Sequence, residues 1–136
     1  MEISATVKNS RTGHEASVRT GDNAQYLAVP VKPSGQGSAI NGGEFLLLAL
    51  ATCYCNDLYR EAARLDVPVD GVEVEATATF PGIGLAAEDI RYSVRVFSSA
   101  PPSAVADLIR QTDAVAEVHN TVRNGVPVRL AMEPTS

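Results

Sequence analysis

No stretch of this chain concentrates positive charge: Lys8, Arg11 and Arg19 are scattered at one end, Arg123 and Arg129 at the other, and the formal net charge is −5. Neutralising a phosphate backbone takes clustered lysine and arginine, so nucleic acid is excluded as an expected partner. Nor is there a long hydrophobic run. The longest near-apolar segment, Phe45 to Cys55, falls short of the roughly 20 residues that a membrane-spanning helix needs, so no membrane partner is expected. The opening Met-Glu-Ile-Ser-Ala-Thr-Val-Lys lacks the basic start and apolar centre of a secretory signal, which makes a cytoplasmic location the default expectation. Repeats and low-complexity tracts are also missing. Cysteine is scarce: Cys53 and Cys55 are the only two. In a reducing compartment such a pair reads as redox, metal-binding or core residues.

What is present fits an ordinary globular protein. The 136 residues are 45% hydrophobic and 20% charged, and residues 1–136 are expected to form a single domain small enough to benefit from a partner subunit. Asn41-Gly-Gly-Glu-Phe-Leu-Leu-Leu-Ala-Leu-Ala-Thr-Cys-Tyr-Cys55 is the most informative segment. Asn41 can cap a helix, with Glu44 at the capping-box position. The helix then runs apolar around its circumference, which requires cover on every side. Beyond Cys55 it becomes amphipathic, and it is expected to end near Leu65, ahead of Asp66-Val-Pro68.

Around this helix the pattern is β-rich. Ile3–Val7, Glu15–Arg19 and Tyr26–Val29 read as strands separated by turn residues, and Pro30 to Gly43 as a loop. Val72–Phe80 and Ile90–Phe97 alternate cleanly and suit an antiparallel hairpin. A helix starting at Pro102-Ser103 and a helical continuation from Ala114 to Arg123 follow, and Asn124-Gly125 stops them. Val126–Met132 reads as a last strand, at an edge because of Pro127. The order β-β-β-α-β-β-α-α-β indicates an α+β fold with a mostly antiparallel sheet and a buried first helix.

Four features together resemble the OsmC/Ohr family, the osmotically inducible and organic-hydroperoxide-resistance proteins. They are the loop into Asn41-x-x-Glu44, the helix ending Ala51-Thr-Cys53-Tyr, the Phe80-Pro-Gly-Ile-Gly84 connection, and the Val122-Arg-Asn-Gly-Val-Pro-Val-Arg-Leu130 ending. The resemblance implies an intertwined homodimer with two long helices back to back. It also implies a thiol peroxidase for organic hydroperoxides, with no cofactor and no metal. Cys53 then matches the attacking thiol, Arg11 the activating arginine and Glu44 the assisting acid, although the family's Asn-Pro-Glu places that acid where Gly43 stands here. The second, resolving cysteine is replaced by Ala116, so an external thiol would have to act as reductant. Such chemistry needs a cation beside the sulfur, because a thiol at its ordinary pKa is mostly protonated.

Each candidate has a plain structural counterpart. Cys53 and Cys55 could be core residues, Glu44 a helix cap, and Arg11 an exposed turn residue. Cys55 cannot replace the resolving thiol, since residues two apart on a helix are turned about 200° from each other. His119, one helical turn beyond Ala116, is either a general base for Cys53 or a partly exposed helix histidine; His14 reads as a strand or turn residue. A metal site from Cys53, Cys55, His14 and His119 is disfavoured, because Cys-x-Cys on a helix points its ligands apart. Tyr54 and Tyr59 read as packing residues. Two other functions remain open: a non-catalytic dimer of this family binding an apolar or sulfur-containing ligand, and a thioester-handling hot-dog protein using Glu44 or Asp57.

Overall fold

The computed structural model describes residues 1–132. It divides into two compact units, Met1–Phe45 and the chain from Leu46 onward. The first unit is an antiparallel meander of β1 (Ile3–Ser10), β2 (Gly13–Thr20) and β3 (Asn23–Leu27). Ser10 pairs with Gly13, so Arg11 and Thr12 form a two-residue hairpin tip. Thr20 pairs with Asn23 across a second tight turn, where Gly21 takes a positive φ of 55°, as such hairpin loops require. The loop after β3 has no regular element, apart from a bridge between Val31 and Ser38.

Helix α1 (Gly42–Leu65) starts in the first unit and runs through the second. Its start is a reciprocal capping box: Glu44 N–H donates to Asn41 Oδ1 at 2.7 Å, and Asn41 N–H donates to Glu44 Oε1 at 3.0 Å. It ends where the pattern predicts, but by a different device. Asp66 adopts φ 57°, and the Val67 N–H folds back onto the Ala62 carbonyl at 2.9 Å, a left-handed C-cap that Pro68 then reinforces.

The second unit adds an antiparallel pair, β4 (Gly71–Thr79) and β5 (Glu88–Phe97), then α2 (Pro102–Val115) and α3 (Glu117–Arg123). Pro102 opens α2, a position where its missing N–H costs nothing. Tyr54, Leu58, Ala62 and Leu108 form the core, with Val72, Val74, Val94 and Val96 of the β-pair against it. These β residues alternate because only one face of the pair meets the helices. The buried Tyr54 hydroxyl donates to the Ile109 carbonyl at 2.8 Å, which keeps its polar end satisfied.

The α+β class and the antiparallel strands agree with the sequence pattern; three expectations need correcting. The helical continuation begins at Glu117 and not at Ala114, because Ala116 is extended at φ −71°, ψ 108° and separates α2 from α3. Val126–Met132 is not a strand: Val126, Val128, Leu130 and Met132 are exposed, and the segment pairs with no edge among the described residues. A strand is held by its neighbour, and Pro127 removes one of the donors it would offer. Cover on every side of α1 is not met within this chain either, since Leu48 and Tyr59 are exposed. No helix among the described residues is long and apolar enough to cross a membrane.

Candidate thiol site

Helical spacing builds most of the site. Cys53, Asp57 and Arg60 stand at i, i+4 and i+7 of α1, and therefore share one face. Asp57 is only 7% exposed. Glu117 comes from the first residue of α3, brought there by the extended break at Ala116. The half-buried Cys53 thiol donates to Asp57 Oδ2 at 3.5 Å and to Glu117 Oε2 at 3.8 Å. Arg60 Nη1 lies 3.2 Å from Asp57 Oδ1 and 3.2 Å from Glu117 Oε1. The guanidinium thus ties the two carboxylates through one oxygen each and leaves the other oxygen of each facing the sulfur.

The electrostatic consequence is plain. Burial pushes the Cys53 thiol above its ordinary value, and the Asp57 and Glu117 carboxylates add to that, against a single lowering contact from the Val118 N–H. Burial likewise pushes Asp57 up, helped by the neighbouring Glu117 carboxyl. Glu117 moves down, chiefly through its hydrogen bond with Asp57. Within its own unit, Cys53 is held as a neutral thiol.

The residues singled out from sequence fall in different places. Arg11 sits at the β1–β2 hairpin tip in the first unit, and the cation tied into the Cys53 cluster is Arg60. Glu44 has one carboxylate oxygen engaged in the helix cap. Cys55 lies on another side of α1, beside Ala51, Thr52, Asn56, Val72 and Val74. His14 accepts from Asn9 Nδ2 at 2.9 Å across the β1–β2 ladder. His119 is not partly exposed: it is 3% exposed, tilted against Tyr54 and edge-on to Tyr92, with no hydrogen-bond partner for either ring nitrogen among the described residues.

Asp57, Arg60 and Glu117 thus join the candidate set. The first two were legible from the i, i+4, i+7 spacing; Glu117 depends on the break at Ala116, which no local pattern announces. The Cys53 sulfur and one oxygen each of Asp57 and Glu117 lie within 4.8 Å of one another, a spacing that a cation would tolerate. Arg60 already pairs with both carboxylates there. The first unit also contains an apolar cavity of about 490 Å³ lined by Val7, Ala16, Val18, Leu27, Ile40 and Phe45, among others.

Residues 35–131 match the family described as OsmC-like protein. No curated protein matches the chain. Among solved structures, an OsmC-like protein from Mycoplasma pneumoniae is similar at 17% identity with a TM-score of 0.65, over 92% of this chain and 87% of that one. An OsmC-like hydroperoxide resistance protein from Jannaschia sp. CCS1 is similar at 16% identity and TM-score 0.57, over 97% and 91%. The organic hydroperoxide resistance protein OsmC from Legionella pneumophila matches at 14% identity and TM-score 0.58, over 90% of each chain. At such identities the likeness is one of fold.

Proposed function

Because the chain belongs to the OsmC-like family, we propose that it is a thiol-dependent peroxidase that reduces organic hydroperoxides, with Cys53 as the attacking residue and an external thiol as reductant. The observation that carries this reading is the place of Cys53, on the first helix inside the family match and only half-buried, where a small peroxide can reach it. Two structural relatives are hydroperoxide resistance proteins, which supports the same substrate class.

In the reaction the Cys53 thiolate attacks the terminal peroxide oxygen. The O–O bond breaks, an S–O bond forms, and the alcohol and the Cys53 sulfenic acid are the products. One external thiol then displaces water to give a mixed disulfide, and a second releases Cys53 and leaves as the external disulfide. Since burial, and then the carboxylates, raise the thiol above its ordinary value, turnover should be slow and rise with pH. The cation that would counter them is assigned to Arg11, and the assisting acid to Glu44, both on family grounds; a homodimer is part of the same proposal.

The test is dithiol-dependent loss of cumene hydroperoxide. Cys53→Ser should abolish it and Cys55→Ser should retain it, while Arg11→Ala and Glu44→Gln should each slow it about tenfold or more. Activity that survives Cys53→Ser would end the proposal. A second reading, binding of an apolar ligand without turnover, is favoured by the roughly 490 Å³ cavity of the first unit, a size typical of ligand pockets. It expects a ligand-dependent rise in melting temperature and no peroxide consumption.

A further inference from the structure

A sulfenic acid without a resolving thiol is exposed to a second oxidation. The resolving position is Ala116, which is wholly buried and has no group to offer; the residue beside it, Glu117, reaches the Cys53 sulfur instead. We propose that Asp57 and Glu117 hold the oxidation of Cys53 at the sulfenic acid, doing by charge what a resolving cysteine does by disulfide formation. The inference rests on the hydroperoxide reading above.

The second oxidation needs the sulfenate anion as nucleophile. It attacks another hydroperoxide, a second S–O bond forms as the O–O bond breaks, and sulfinate and alcohol result, with the sulfinate keeping the negative charge. Both the attacking species and the product are therefore anions at the sulfur. That sulfur already faces Asp57 Oδ2 at 3.5 Å and Glu117 Oε2 at 3.8 Å. A third negative charge at that spot is opposed by both neighbours, whereas a neutral S–O–H can donate its proton to either. The arrangement of Arg60 fits this role. It binds the far oxygens, Oδ1 and Oε1, and so orients the two carboxylates without coming between them and the sulfur. The first step of reduction by external thiol puts no such anion on the sulfur: a neutral sulfenic acid loses water to a mixed disulfide, which is no longer open to the second oxidation. The same pair slows both oxidations and leaves the first reductive step open, so the sulfenic acid is reduced before it is oxidised again. Asp57, Glu117 and Arg60 are positioning residues in this scheme, since none bonds to the peroxide.

The test uses the full chain carrying Cys55→Ser, so that one sulfur reports. Graded cumene hydroperoxide is added, sulfenic acid is trapped with dimedone, and intact mass gives the rates of sulfenic and sulfinic acid formation. Glu117 has a side chain 65% exposed, so Glu117→Gln is a mild isosteric change; Asp57→Asn is its buried counterpart. Each should raise the rate of sulfinic acid formation about tenfold, the effect of one neighbouring charge on one ionisation step. Arg60→Gln leaves the carboxylates uncompensated and should lower that rate, an inversion that loss of packing would not produce. Equal rates of sulfinic acid formation in Glu117→Gln, Arg60→Gln and the parent would overturn the inference while leaving the peroxidase reading intact. If the parent forms no dimedone adduct with hydroperoxide, both fall together.

Discussion

His119 packs against two tyrosine rings that also touch each other, with centroids 5.9 Å from Tyr54 and 4.6 Å from Tyr92. Burial pushes its imidazole below the ordinary histidine value; Arg123 pushes the same way and Asp113 only partly opposes it. Asp113 is itself occupied, accepting from the Tyr92 hydroxyl and pairing with Arg123 at 2.5 Å. The sign then follows from linkage. The unfolded chain binds a proton at His119 near pH 6.5 while the native state resists it. Stability is therefore lost as pH falls from about 6.5 toward the lower native value, at no more than about 1.4 kcal/mol per pH unit for one proton. His119→Phe keeps the aromatic cluster and removes the titration. Its melting temperature should vary less than that of the parent between pH 7.5 and 5.5. Parallel profiles would show that the native state accommodates the proton.

At the scale of the element, α1 decides what its two thiols can do. Cys53 turns toward Asp57 and Glu117, whereas Cys55 lies beside Val72 and Val74 of β4. Joining them would require Cβ atoms that diverge by about 200° around the helix to come within disulfide range, and the helix would have to unwind. Stoichiometric hydroperoxide should therefore give no Cys53–Cys55 bond in peptide mass mapping; finding one would mean that α1 opens at its centre. The boundaries of this helix were legible in the sequence because its signals are local: Asn41 and Glu44 at one end, Asp66-Val-Pro68 at the other. The β4–β5 hairpin was legible for the same reason, through period-two alternation. What escaped depends on distant partners. Val126–Met132 alternates as well as any strand, but alternation only prepares a segment for an edge and does not supply one. Glu117 and His119 reach their surroundings through the extended turn at Ala116, and the apolar period of α2 and α3 runs through that turn unbroken.

On the scale of the whole molecule, the unburied apolar surface is the feature that one chain leaves unexplained. Leu48 and Tyr59 of α1 are 57% and 44% exposed. With Thr52 and Ala63, also exposed, they fall at i, i+4, i+11 and i+15, one continuous stripe along the helix. Val128 and Leu130 are 99% and 84% exposed in a segment patterned to add to a sheet. A single chain gains nothing from such surfaces, whereas a second copy could bury the helix stripe against its own and receive the alternating segment at a sheet edge. This is the physical content of the homodimer proposal, and it gives the apolar circumference of α1 a reason. Placing a charge in the stripe should therefore separate the copies. Leu48→Asp should elute as a monomer under conditions where the parent elutes as a dimer, and should melt at a lower temperature, because a buried unpaired carboxylate is costly. Dilution offers an independent check, since the melting temperature of a folded dimer rises with protein concentration. A parent chain that elutes as a monomer and melts at one temperature across a hundredfold dilution would leave the stripe as bare surface, and the dimer would have to be abandoned.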